Sequence, residues 1–189
     1  MDKYAKQYHN IFTAEDCEEI LNKRLEKSTI EDGNLSDLLA YKSENSSYWK
    51  PIFSTIESKL NQCLNNYIEQ FDGLFPKDAL GVSHIGFLND HSGSFTELHY
   101  DWELVNVSGK LIVKPFVVLI YLTNVEEGGD LVFPYHDLKF SPKLGSVVFI
   151  PCSYTYPHLS TPVMSGSKHV CRVTFQLDED CFKVDELEI

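Results

Sequence analysis

No two of the five cysteines in this 189-residue chain, Cys17, Cys63, Cys152, Cys171 and Cys181, fall in a C-x-x-C pair. An odd and scattered set argues against a disulfide framework or a zinc ribbon, so they read as reduced core thiols. Basic clusters are also missing beyond pairs such as Lys23-Arg24, and the formal net charge is −12. A chain that holds nucleic acid through its phosphates usually carries a basic patch, so the electrostatics speak against that partner. Within residues 1–30, Asp, Lys and Glu interrupt every apolar run before it reaches signal or membrane-spanning length. The expectation is therefore a cytoplasmic protein with no membrane association. Internal repeats and low-complexity segments are absent as well. The two glycosylation sequons, Asn45-Ser46-Ser47 and Asn106-Val107-Ser108, carry no meaning without a secretory route.

What is present is a globular composition, 43% hydrophobic and 13% aromatic. That suits one domain over residues 1–189, with 1–81 as helical support and 82–180 as a strand-rich core. Thr13-x-x-Asp16 has the form of a capping box, and Cys17, Ile20, Leu21 and Leu25 recur at helical spacing, predicting a helix over about 14–27. Residues 28–48 are polar, with a turn signal at Asp32-Gly33-Asn34 and a loop at Ser43 to Ser47. Pro51 fits the first position of a second helix carrying Ile52, Ile56, Leu60, Leu64, Tyr67, Ile68 and Phe71, which Asp72-Gly73 and Pro76 stop.

From Val82 the period becomes strand-like. The runs Val82 to Leu88, Phe95 to Trp102, Leu111 to Leu122, Asp130 to Phe133, Ser146 to Ile150 and Lys168 to Gln176 are separated by turn residues, with Trp102 to Lys114 also reading as a loop. Helices followed by many short strands give an α+β class, and a double-stranded β-helix, or jelly roll, is the architecture that places a pocket between two sheets.

Chemistry concentrates first at His99-Tyr100-Asp101. Residues two apart on a strand share a face, so the imidazole and the carboxylate enter one pocket. With a distant histidine they make two histidines and one carboxylate, the set that holds non-haem Fe(II) with coordination positions left open. Alone, the triplet also fits a solvated strand end. Downstream come Tyr121-Leu122-Thr123-Asn124, Glu126-x-Gly128-Gly129-x-x-x-Phe133-Pro134, Pro142-x-x-Gly145-x-x-x-Phe149 and His158-x-x-x-Pro162-Val163-x-x-Gly166-x-Lys168. The paired glycines permit backbone angles or close approaches that a Cβ forbids, and equally suit an ordinary hairpin.

Over residues 80 to 178 this order of elements resembles the prolyl 4-hydroxylase-like branch of the 2-oxoglutarate and Fe(II)-dependent dioxygenases. The resemblance implies His99, Asp101 and His158 as iron ligands, Lys168 as the cation on the distal carboxylate of 2-oxoglutarate, and Tyr121 as a hydroxyl assisting it. It implies Fe(II), with 2-oxoglutarate and dioxygen as cosubstrates and ascorbate as an accessory reductant, for hydroxylation of a C–H bond. A protein or peptide side chain, proline first, is the favoured substrate. Two departures weaken the prolyl assignment: Leu131 stands where many prolyl hydroxylases have Thr, and a tyrosine-rich run, Tyr154-Thr155-Tyr156-Pro157, precedes His158. Rival readings are a cupin-like metal-binding module without turnover, a free amino acid hydroxylase, and a nucleic-acid dealkylase with the same iron chemistry. Lys168 separates the first of these from a 2-oxoglutarate enzyme.

Among the remaining residues, His84 reads as a strand histidine near the pocket, and His9, His91, His136 and His169 as surface or loop residues. Arg172 shares a strand face with Lys168 but lies about 13 Å along it. It is left to the substrate or to an ion pair at the core edge. Trp102 reads as packed against the sheet or walling the entrance.

Overall fold

The structure, a computed structural model, describes residues 4–27, 37–40, 46–71, 75, 80–102, 104–107 and 110–177. In chain order its elements are β1 (Lys6–Tyr8), α1 (Ala14–Lys27), β2 (Asp37–Ala40), α2 (Ser46–Glu69), β3 (Leu80–Asp90), β4 (Thr96–His99), β5 (Leu104–Val107), β6 (Lys110–Val113), β7 (Phe116–Tyr121), β8 (Glu127–Gly128), β9 (Leu131–Phe133), β10 (Leu138–Phe140), β11 (Val147–Pro151), β12 (His158–Ser160), β13 (Val163–Ser165) and β14 (Lys168–Leu177).

The first helix occupies the span its spacing predicts. The Thr13 N–H donates to Asp16 Oδ2 at 2.8 Å and the Asp16 N–H returns a bond to Thr13 Oγ1 at 3.2 Å, a reciprocal cap on two donors the helix cannot satisfy itself. Asp16 also pairs with Lys59 Nζ at 2.7 Å, tying α1 to α2.

The second helix departs from expectation. It begins at Ser46, so Pro51 lies inside it and removes the N–H that a helix would direct at the Ser47 carbonyl. Contacts of the first turn outweigh that loss. Trp49 is buried and packs on Phe53 and Phe87, and the Tyr48 hydroxyl donates to Glu26 Oε2 at 2.7 Å. The polar stretch 28–48 is likewise not all loop. Asp37–Ala40 pairs antiparallel with β3, and Ser46 to Tyr48 are helical. The turn at 32–34 and the helix stops at 72, 73 and 76 lie outside the described residues.

The strands form a large sheet in the order β1-β11-β7-β14-β3-β2, with β6 joined to β14 and β5 to β6, and a smaller sheet in the order β10-β9-β12-β4. A two-stranded pair, β13-β8, completes the set. This is the jelly-roll arrangement expected from the sequence. The predicted run Leu111 to Leu122 is two strands, divided at Lys114-Pro115 because proline offers no N–H to a ladder. The predicted loop from Trp102 to Lys114 holds the antiparallel pair β5 and β6, with Leu104 opposite Val113.

Period-2 alternation gives each central strand two cores. Phe116, Val118 and Ile120 of β7, Val147 and Phe149 of β11, and Cys171, Val173 and Phe175 of β14 join the residues of α1 and α2 in one apolar cluster. Their alternates Val117, Tyr121, Val148, Ile150 and Val170 join Leu131 and Phe133 of the small sheet in another. In the first cluster Tyr67 stacks on Phe149 with ring centroids 4.3 Å apart, while its hydroxyl donates to the Tyr4 carbonyl at 2.7 Å. A buried phenol therefore keeps its hydrogen bond.

Cys17, Cys63, Cys152 and Cys171 are buried, as expected of core thiols, and Cys181 lies outside the described residues. Burial pushes the Cys17 and Cys63 thiols up to about 11, which makes them poor nucleophiles. No helix among the described residues is long and apolar enough to cross a membrane.

Candidate active site

Strand pairing assembles the site. β12 runs antiparallel to β4 with His158 directly opposite His99, and the two ring centroids are 4.4 Å apart. β4 ends at His99, earlier than the sequence suggests, yet Asp101 still lines the same cavity, with Oδ2 at 4.0 Å from His158 Nε2. His158 is buried, Asp101 partly so, and His99 is exposed at the sheet edge.

Both imidazoles are oriented in the same way. His99 Nδ1 lies 2.8 Å from the Glu97 carbonyl and His158 Nδ1 lies 3.0 Å from the Tyr156 carbonyl. A carbonyl accepts only, so each neutral ring carries its proton on Nδ1 and keeps a lone pair on Nε2. Burial holds His158 below the usual imidazole range, assisted by His99 and Arg172 and opposed by the Tyr156 carbonyl and Asp101. A neutral ring is the ligating form.

The cavity, about 490 Å³, reaches from these three side chains to Tyr121, Ser160 and Lys168. Leu88, Leu119, Leu131, Ile150 and Val170 give it apolar walls. Lys168 is only 5% exposed, and its ammonium donates to Ser160 Oγ at 2.6 Å and pairs with Asp90 Oδ2 at 2.7 Å. Tyr121 is buried too. Desolvation first, then the carboxylates of Asp130 and Asp90, raise its pKa, so it stays a neutral hydroxyl.

The paired glycines answer to close approach. A Cβ on Gly128, at φ 82°, would sit 2.0 Å from the Pro162 carbonyl oxygen. One on Gly129, at φ 68°, would sit 3.3 Å from Lys168 Cδ. The glycine turn thus packs under β13 and along the lysine stem.

Arg172 forms an ion pair, and its partner is Asp101, whose Oδ1 accepts from the guanidinium at 2.9 Å. The pair leaves Oδ2 as the oxygen nearer His158. His84 lies on β3 outside the cavity, with Nδ1 3.1 Å from Ser83 Oγ, as a strand histidine should. His9 and His91 are exposed as expected. His169 is not a loop residue. It is half-buried in β14, because β14 starts at Lys168. His136 is half-covered as well, stacked on Tyr156 at 4.3 Å. Trp102 does not pack on the sheet. It is 67% exposed, with its ring 5.2 Å from that of Tyr100 at the rim.

Asp90 and Ser160 were not singled out from sequence. Alternation from Leu88 and from His158 is the signal that could have placed them on the cavity face. Among the described residues, no three His, Cys, Asp or Glu side chains are drawn tightly enough around one point to hold an ion as they stand. His99, Asp101 and His158 line one cavity, and two imidazole nitrogens plus a carboxylate oxygen are a donor set that suits Fe(II).

A viral collagen prolyl hydroxylase from Paramecium Bursaria Chlorella virus-1, solved as its 2-oxoglutarate complex, superposes with a TM-score of 0.69 over 92% of this chain and 96% of that one, at 19% identity. The chain has the prolyl hydroxylase-like fold of the 2-oxoglutarate, Fe(II) oxygenases. A Trichoplax adhaerens prolyl hydroxylase in complex with a hypoxia inducible factor oxygen degradation domain peptide fragment shares this oxygenase fold at a TM-score of 0.64 and 16% identity, covering 94% of this chain and 85% of that one. In sequence, prolyl 4-hydroxylase subunit alpha-2 of Gallus gallus is 26% identical over 185 residues, 89% of this chain. The chain spans 33% of the length of that curated relative. No protein-family model matches the chain.

Proposed function

We propose that this protein is an Fe(II)- and 2-oxoglutarate-dependent dioxygenase that hydroxylates a C–H bond, with residues 82–180 carrying the chemistry and residues 1–81 supporting them. The observation that carries the proposal is one cavity with two Nδ1-pinned histidines and Asp101 at one end and a buried lysine at the other. His99 Nε2, His158 Nε2 and Asp101 Oδ2 are the iron donors, and the carbonyls of Glu97 and Tyr156 hold each ring in its ligating tautomer. Arg172 holds the other oxygen of Asp101. Lys168, with Tyr121 lining the same cavity, takes the distal carboxylate of 2-oxoglutarate. When bound, iron and 2-oxoglutarate supply the activation of dioxygen. The apolar side chains that line the cavity would limit water around the reacting centre.

A peptidyl proline is the proposed substrate. The named relatives are prolyl hydroxylases, one of them solved with a peptide. Phe95, Tyr100 and Trp102 expose aromatic surface beside His99 and Asp101, an apolar rim for an extended chain. The net charge of −12 favours basic peptides through long-range attraction that salt weakens.

Succinate release and a mass gain of one oxygen are to be measured on proline-containing basic peptides, free proline and methylated oligonucleotides. Turnover on the peptides is expected. Coupled turnover only on free proline or only on oligonucleotides overturns the peptide assignment. His99→Ala, Asp101→Ala and His158→Ala should each abolish Fe(II) binding in anaerobic calorimetry with the fold retained. Lys168→Ala should cost 2-oxoglutarate binding about 3–5 kcal/mol while sparing iron, the loss that follows when a buried carboxylate is deprived of its charged partner. Full iron affinity in any one triad variant removes that residue from the site.

A further inference from the structure

Lys168, buried in the cavity lining, does not stand alone there. In the pairing of β14 with β3, Lys168 is the direct cross-strand partner of Asp90, and their side chains meet at 2.7 Å on the cavity face. The backbone register therefore fixes the pair. Gly129 confines it further, since the lysine stem runs so close that even a Cβ would touch Cδ at 3.3 Å. An ammonium has three donors, and Ser160 Oγ and Asp90 Oδ2 take two, leaving one N–H for a ligand.

A carboxylate arriving on that last N–H meets a cation whose charge is already balanced and a second carboxylate across the same ammonium. Like charges at such separations repel by several-fold more in a partly buried site than in water. Accepting the 2-oxo acid reading on which this rests, we propose that Asp90 is a counter-ion that limits how strongly the cavity selects a distal carboxylate on its 2-oxo acid. Removing its charge leaves a buried ammonium that only the ligand can neutralise.

The test compares two acids of the same chain length, 2-oxoglutarate and 2-oxopentanoate, the second lacking the distal carboxylate. Each is titrated anaerobically into Fe(II)-loaded protein. Asp90→Asn keeps an oxygen that accepts from Lys168 and deletes the charge, and Asp90→Ser deletes it with a smaller side chain. Both variants should bind 2-oxoglutarate about 10-fold tighter, or about 1.4 kcal/mol, and 2-oxopentanoate within about 2-fold of the wild type. Adding Lys168→Met to either should erase the preference for the dicarboxylate. If the two acids shift equally, or if 2-oxoglutarate binds less tightly to both Asp90 variants, Asp90 serves to hold Lys168 in place and the counter-ion role fails. If the wild type binds neither acid, the 2-oxo acid reading itself falls and takes this role with it.

Discussion

The two faces of the large sheet are built from the same strands and have opposite characters. On the helix side, β7, β11 and β14 present Phe116, Val118, Ile120, Val147, Phe149, Cys171 and Val173, every one almost fully buried and none charged. On the cavity side the alternate positions of β14 and β3 present Lys168, Arg172 and Asp90, each tied into an ion pair. A buried ion pair adds little net stability, because desolvation opposes the Coulomb attraction. Apolar burial of about 25 cal/mol per Å² meets no such opposition. One face is therefore wholly apolar, whereas the other combines an apolar cluster of its own with the charges of the cavity, and alternation keeps the two sets apart.

The sharpest way to break this comparison is to hollow out the helix side. Phe149 packs against Tyr8, Tyr67 and Phe116, and Phe149→Ala should lose about 3–5 kcal/mol of stability, read from urea unfolding. The ligand affinity of the molecules that remain folded should hardly change, and a large affinity loss there would show that the two faces are not separable.

On the cavity side the expected effects reverse. Arg172→Ala should weaken Fe(II) binding about 10- to 100-fold, the usual consequence of removing a group that orients a metal ligand, with a small change in stability. Anaerobic calorimetry paired with urea unfolding reads both quantities. Unchanged iron affinity would make the Arg172–Asp101 pair a structural one.

The smallest effect is a titration that samples both faces. Burial lowers the pKa of His169, near α1 residue Arg24, and also that of His84, on the face of β3 that carries Leu88 and Asp90. The folded protein keeps both rings neutral where the unfolded chain protonates them, near pH 6.5. Below that value the unfolded state binds more protons, so stability falls as pH drops from about 6.5 toward the lower folded pKa values. The Tm should fall between pH 7.5 and 5.5, and His84→Gln and His169→Gln should each flatten part of that slope. A slope unchanged in both variants would place the acid sensitivity elsewhere.

Much of this was legible along the chain because it is local or periodic. Thr13 and Asp16 announce their cap by spacing alone, the first helix follows its apolar stripe, and short β-rich runs between turn residues mark β3, β7, β11 and β14. The histidines, carboxylate and lysine of the cavity also carried their own signal, through the order of the motifs in which they stand. What the chain did not announce depends on partners distant in sequence. Helix α2 starts before Pro51 because Trp49 finds Phe87, and Asp37–Ala40 is a strand because β3 offers an edge. Arg172 had two open roles until folding brought Asp101, 71 residues away, within 2.9 Å. Asp90 faces Lys168 only through the β3–β14 register, a fact of pairing that neither strand encodes alone. Residue type and spacing set which side chains could do chemistry, whereas strand register decided which charges they would have to share, since cross-strand neighbours are chosen by the whole sheet.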